Sequence, residues 1–332
     1  MFSSVTESEY AMTRSDLGVL DRAAATVYQA MLPTPQIQWP LLCERLGTDL
    51  WVKHENHTPI GSFKIRGGLV YADWLKREHP DIRGVIAATR GNFGQSVAFA
   101  ARRAGLRAVI VVPRGNSREK NAAMRALGAE LVEQGRDFQE AYEYTMRRAA
   151  EGGLHLVRSF HPLLWHGTST YGLELLRALP ALDVIYVPIG LGSGICGVIA
   201  ARDVLASPAR VVGVVSENAD AYARSFRAGK AVATDSANTI ADGMACRVPD
   251  SDALEIIRRG AERVVTVSDS QIRAAMRHFF TDTHNVAEGA GAAPLAAAIN
   301  ERDVLSGKKV AVVLSGGNVD TAVYCDVLGA RS

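Results

Sequence analysis

The sequence predicts an α/β fold in which two α/β domains carry mostly parallel sheets. Two observations predict it: short β-branched runs alternate with longer stretches of helical period, and the runs are apolar almost throughout, as strands buried on both faces are. The runs are LWVKHE (50–55), GVIAAT (84–89), AVIVVP (108–113), LHLVRSF (154–160), VIYVPI (184–189), RVVGVVS (210–216) and KVAVVLS (309–315). Between them, SVAFAARRAG (96–105), FQEAYEYTMRRAAEG (138–152) and SQIRAAMRHFF (270–280) space apolar residues three and four apart, giving each helix one covering face. With 332 residues, 48% of them hydrophobic, the chain can bury the cores of about two domains. The smaller domain is expected over 84–159 and the larger over 1–83 together with 160–332; no Pro/Ser-rich linker marks a boundary. A (β/α) barrel shares this periodicity and stands as the alternative.

Composition narrows the partners. A net charge of +2 arises from mixed acids and bases without a single-sign block, which argues against a nucleic-acid groove or a membrane-surface patch and for small molecules. The four cysteines, Cys43, Cys196, Cys246 and Cys325, lie far apart, and no Cys/His spacing suits zinc, so neither disulfides nor a metal is expected. The polar start MFSSVTESEYAMTRSD has neither a basic end nor an apolar signal core, and no apolar run reaches the roughly 18 residues of a membrane span. A cytoplasmic protein is expected.

Chemistry concentrates in a few segments. In KHENHTPIGSFKIRGG (53–68), Lys64 lies between Phe63 and Ile65, after a Gly-Ser turn and at the start of a helical stretch. Apolar surroundings disfavour the ammonium and leave a neutral amine able to attack a carbonyl. Without further context, a lysine so placed more often snorkels to water. TRGNFGQS (89–96) directly follows the strand GVIAAT, so backbone amides at a helix N-terminus are placed to take a carboxylate. GLGSGICG (190–197) follows VIYVPI, and its amides and helix dipole suit a phosphate. The same loop satisfies GxGxxG at Gly192, Gly194 and Gly197, with Glu217 where a ribose-binding acid would sit. An NAD(P)-dependent oxidoreductase is therefore the rival reading. LSGGNVD (314–320) ends another strand, and AEGAGAAP (287–294) places Glu288 ahead of a helix.

Taken in this order, the segments closely resemble those of the fold-type II pyridoxal-phosphate enzymes, the serine/threonine dehydratase and serine racemase family. The likeness runs from Lys53 to Asp320 and includes Glu55, GSFKIRG and TIADG (239–243). It implies a tryptophan synthase β-like fold, a large cofactor-binding domain, and a smaller domain over 84–159 closing over the substrate. It also implies pyridoxal 5'-phosphate as cofactor, with Lys64 as its Schiff-base lysine beside Phe63. Asn92 would contact the phenolic oxygen, Gly190, Leu191, Gly192, Ser193 and Gly194 would cradle the phosphate, and Ser315 would meet the pyridine nitrogen. Thr89, Arg90, Gly91, Phe93, Gln95 and Glu288 would surround the substrate. The implied reaction is a dehydratase (ammonia-lyase) conversion of a β-hydroxy-α-amino acid of threonine or serine type to a 2-oxo acid and ammonia, in a homodimer. A hydroxyl at Ser315, unlike an aspartate, does not hold the ring nitrogen protonated, which suits elimination better than transamination. β-Replacement chemistry uses the same scaffold and stays open.

The chain departs from the family pattern at several places. Leu191 replaces a usual glycine, a minor change where only backbone amides are needed. Arg90 stands where racemases carry a serine that works on the opposite face of Cα; a guanidinium stays protonated, so racemase activity should be weak. Arg90 itself either binds a carboxylate or faces solvent. Phe93 replaces a histidine, which suggests either packing behind the loop or a greasier pocket for a bulky substrate such as 3-phenylserine. Val215 and Ala221 fall where some members keep cation-binding acids, although Glu217 and Asp220 lie nearby.

Overall fold

The structure, a computed structural model, describes residues 15–330; the polar residues 1–14, read above as no signal, lie outside them. Its strands are β1 (Gln36–Gln38), β2 (Asp49–His54), β3 (Gly84–Ala88), β4 (Arg107–Val112), β5 (Glu130–Glu133), β6 (His155–Leu156), β7 (Val184–Pro188), β8 (Arg210–Ser216), β9 (Arg263–Val267) and β10 (Lys309–Leu314). They form two open sheets, ordered β1-β2-β10-β7-β8-β9 and β5-β4-β3-β6, so the barrel alternative falls. Every strand pair is parallel except β1 with β2.

The central strands are legible because both faces are covered: β3, β4, β7, β8 and β10 are buried almost throughout. The edges differ from expectation. β1, β5 and β9 do not stand out in sequence, being short or half-exposed, and the run expected over 154–160 forms a ladder only at His155–Leu156. Past that point Val157 N still donates to the Ile86 carbonyl at 2.9 Å before the chain turns toward the helix Pro162–Ala178.

Parallel strands need crossover helices, and these set the packing. The helix Lys64–Glu78 crosses the helix Pro162–Ala178 at backbone contact, since a Cβ on Gly67 would lie 2.6 Å from the Leu164 carbonyl and one on Gly167 2.3 Å from that of Arg66. The segments after β2, β3, β7 and β10 are the four singled out by sequence. They leave the carboxyl ends of parallel strands, where the crevices of open α/β sheets form.

Candidate active site

Lys64 opens its helix, and the residues before it are laced to the last loop: Phe63 N donates to Ser315 O at 3.0 Å, and Ser62 bridges to Gly316. The amine donates to Ser193 Oγ at 3.0 Å and lies 4.8 Å from the centre of the Phe63 ring. Loss of solvation in these surroundings pushes its pKa down to about 8, against the pull of the Glu288 carboxylate. The neutral amine is therefore far more accessible near neutral pH than that of an ordinary lysine.

The helix itself is anchored from below. Arg66, fully buried, donates to Glu55 Oε2 at 2.7 Å, to Glu174 Oε1 at 2.6 Å and to Thr170 Oγ1 at 2.8 Å. Lys53 Nζ completes the group, 2.6 Å from both Glu174 Oε2 and the Thr34 carbonyl. Lys53 and Glu55, part of the family-like sequence, thus belong to the framework under the helix.

The loop after β7 has the build of an anion cradle. Gly192 sits at φ +101° and no side chain caps the helix Ser193–Val204 that follows. A Cβ at Gly190 would come within 2.3 Å of the Gly243 carbonyl, so only glycine lets the loop pack against the TIADG segment. The Leu191 carbonyl accepts from the Tyr222 hydroxyl at 3.0 Å, and this backbone contact needs no glycine there. Gly197 serves packing, since a Cβ there would lie 2.6 Å from Thr168 Oγ1.

After β3 the structure corrects a detail. The amides of Gly91 and Gly94, counted among those able to take a carboxylate, both donate to Thr89 Oγ1, at 3.0 and 3.2 Å. Thr89 accepts there and keeps its own proton to give away. Asn92 donates to Glu288 Oε1 at 2.7 Å and accepts from Asn318 Nδ2 at 2.8 Å. Glu288 precedes the helix Gly289–Asn300 but makes no side-chain cap, so its partner is Asn92. Arg90 is exposed. Phe93 is buried within the apolar core of the four-stranded sheet, which gives its replacement of histidine a packing reason. Asp220 pairs with Arg224 at 2.7 Å, and Glu217 is exposed.

Four residues given no role by the sequence reading also meet here. Lys120, whose stem passes Gly91, donates to Asp242 Oδ2 at 2.5 Å and stands 3.8 Å from Glu288 Oε2. Burial raises the Glu288 pKa, Lys120 pulls it down and Asp242 raises it again, leaving it at about 7. Asp242 lies in TIADG and Asn318 in LSGGNVD, both quoted segments, while Ser62 directly precedes Phe63. Lys120 sits in a polar helix start with no local signal.

Three buried side-chain atoms on these segments accept or donate no hydrogen bond: Ser62 Oγ, Gln95 Nε2 and Glu288 Oε2, the last with only the Lys120 ammonium at 3.8 Å. Buried polar atoms are almost always hydrogen-bonded, so the placing of three of the five such orphans among the described residues on these segments fits a polar ligand. An amine of lowered pKa, an uncapped glycine-rich helix start and unpaired polar atoms together fit a carbonyl-bearing, phosphorylated cofactor.

Such a site, at the strand ends of two open parallel sheets, defines an enzyme of the lysine-bound cofactor class. The chain belongs to the pyridoxal-phosphate dependent enzyme family, whose sequence model matches residues 27–316. It is 38% identical over 281 residues to the L-threonine ammonia-lyase of Thermotoga maritima, covering 84% of this chain and 70% of that one. It is 32% identical over 315 residues to the L-threo-3-hydroxyaspartate ammonia-lyase of Saccharomyces cerevisiae, covering 94% and 96%. Among solved structures, the processed threonine deaminase isoform 2 of Solanum lycopersicum superposes with a TM-score of 0.86 at 28% identity, covering 96% of each chain. Maize serine racemase gives 0.86 at 28% identity, covering 94% and 96%. Pyridoxal phosphate is the cofactor and the reaction is that of a lyase, which displaces the dinucleotide reading. Among the described residues no helix is long and apolar enough to cross a membrane.

Proposed function

We propose that the chain removes water and then ammonia from a β-hydroxy-α-amino acid of the threonine or serine type, leaving a 2-oxo acid. The observation that carries this reading is the Lys64 amine, held at 3.0 Å by Ser193 and kept partly neutral among three segments with unpaired polar atoms. The names of the relatives in Thermotoga maritima and Saccharomyces cerevisiae, both ammonia-lyases of β-hydroxy amino acids, support it.

Lys64, Phe63, Asn92, Gly190 to Gly194 and Ser315 would hold the cofactor. Bound there, pyridoxal phosphate supplies an electron sink next to the substrate's Cα. The Lys64 amine takes the Cα proton, for which a group poised near the working pH is suited. Ser193 Oγ, in hydrogen-bond contact with Nζ, steers that amine. Thr89 Oγ1, its lone pairs engaged by the amides of Gly91 and Gly94, donates its proton to the substrate carboxylate, and Gln95 Nε2 is the second donor. Exposed Arg90 puts no acid or base on the opposite face, so elimination outruns racemisation. The unit over 84–159 is the moving part, closing its loop after β3 onto the large sheet through polar contacts such as Lys120 with Asp242.

The test incubates purified protein with L-threonine, L-serine, L-threo-3-hydroxyaspartate and L-threo-3-phenylserine and measures 2-oxo acid. In parallel, borohydride reduction followed by peptide mass spectrometry locates the cofactor. Oxo acid from threonine or serine with the label on Lys64 is expected. Preference for phenylserine would overturn the substrate class, and a label elsewhere would overturn the role of Lys64.

A further inference from the structure

We propose that Asn318 is a positioning residue that decides which end of the Asn92 side-chain amide faces the cofactor, making Asn92 a hydrogen-bond donor there. The inference rests on the cofactor-holding role proposed for Asn92 and adds the cause of its orientation. The two ends of a carboxamide have nearly the same shape, so direction must come from partners able to play one role only. The Ile60 carbonyl is such a partner, because it accepts and never donates. Asn318 Nδ2 donates to that carbonyl at 2.8 Å and to Asn92 Oδ1 at 2.8 Å. With the nitrogen of Asn318 toward it, Asn92 turns its oxygen to Asn318 and its nitrogen to Glu288, whose Oε1 accepts at 2.7 Å. Polarity therefore runs one way from a backbone carbonyl through Asn318 and Asn92 to a carboxylate. One hydrogen of Asn92 Nδ2 is spent on Glu288, and the other remains for an oxygen of the ligand.

Both ends of this chain of hydrogen bonds are accommodated by missing side chains. A Cβ at Gly61, which sits at φ +68°, would lie 2.7 Å from Asn318 Oδ1, and one at Gly316 would lie 2.6 Å from Glu288 Oε1. The glycine ahead of Lys64 and the glycine after Ser315 therefore leave room for Asn318 and Glu288. The hydrogen bonds thus tie together four segments, those of Ile60, Asn92, Glu288 and Asn318.

The test compares holoenzymes of the wild type, Asn92→Ala and Asn318→Asp, reading the pH titration of the bound cofactor's absorbance together with kcat and KM. An ionised Asn318→Asp keeps the shape but cannot donate, so Asn92 loses the donor that holds its oxygen and keeps only Glu288 to direct it. The titration midpoint is expected to move in the same direction as in Asn92→Ala. We expect kcat to fall about tenfold, the scale of one unsatisfied hydrogen bond, with KM within about twofold. A wild-type midpoint in Asn318→Asp beside a shifted Asn92→Ala overturns the positioning role and leaves the proposed function standing. An unmoved midpoint in Asn92→Ala overturns the role of Asn92 itself and the proposal with it. Should Asn318→Asp not fold, a crystal structure of the wild-type holoenzyme decides. An Asn318–Asn92 distance within about 3.2 Å supports the proposal, and an Asn92 amide turned away from Asn318 overturns it.

Discussion

Two buried polar clusters flank the helix Lys64–Glu78, and they are built on opposite principles. Around Arg66, charges of both signs are interleaved: Arg66 and Lys53 meet Glu55 and Glu174, and Thr34 and Thr170 take up remaining bonds. Burial alone would lower the Arg66 pKa, yet Glu55 and Glu174 raise it, and Arg66 with Lys53 hold Glu174 below its usual range against the cost of burial. Around Lys64 the bookkeeping is left open, with Ser62, Gln95 and Glu288 each keeping an atom without a hydrogen bond. A saturated cluster makes a framework; an unsaturated one waits for a ligand.

The sharpest way to test that contrast is to remove one cation from each. Lys64→Met should cost activity about a thousandfold or more, as loss of a general base does, while its urea midpoint equals or exceeds that of the wild type because a poorly paired amine has been removed. Arg66→Met should do the reverse in kind, lowering stability by about 3–5 kcal/mol because buried Glu55 loses its only cation and Glu174 is left with Lys53 alone; urea unfolding followed by circular dichroism reads it. Equal stability losses in the two variants would erase the distinction.

A smaller effect separates the clusters by pH. Glu288 keeps its proton to about 7 when folded, against 4.5 for the ordinary side chain, so folding takes up a proton between those values. Its contribution to stability is full below 4.5, falls as pH rises through about 7 and is flat above. Glu288→Gln, which cannot titrate, should therefore gain on the wild type between pH 5 and pH 8. The difference between the two proteins must be read, because His54, His155, His161 and His166, pushed down to about 4 by burial, tilt the total the other way. Smallest of all should be Arg90→Ala: an exposed side chain outside both clusters should change stability by no more than about 0.5 kcal/mol and leave the 2-oxo acid rate near that of the wild type. A large loss of rate would return Arg90 to the substrate.

What could be read in the sequence follows the same division. Lys64, Asn92, the loop at Gly190 to Gly194 and Ser315 sit in local patterns where a turn, a helix start and a reactive residue adjoin, and a string of letters preserves that adjacency. Lys120, Asp242 and Asn318 act through partners that lie far away in sequence, so their segments were visible and their roles were not. The pairing of Asn92 with Glu288 was hidden for the same reason, across 196 positions. Among the strands, two-sided burial wrote a clear apolar run for β3, β4, β7, β8 and β10, whereas the edges β1, β5 and β9 mix polar residues into short or half-covered stretches. Phe93 shows a limit of another kind: its position left packing and a pocket wall both open, and its burial in the core agrees with packing.

The register of β2 carries a consequence for how the protein is made. Its residues Asp49–His54 lie beside Lys309–Leu314, so β2 must wait for a partner translated far later in the sequence. The four-stranded sheet draws on Gly84 through Leu156 alone and can assemble while synthesis continues. The strand ahead of the Asn92 loop thus has all its pairing partners before Ser315 and Asn318 have been translated. The segment with Lys64 can be clamped only when β10 slides in between β2 and β7. Because long-range parallel pairing is slow, this closing step would pace the birth of an active molecule, and a chain halted before Lys309 would carry its lysine on an unfinished edge.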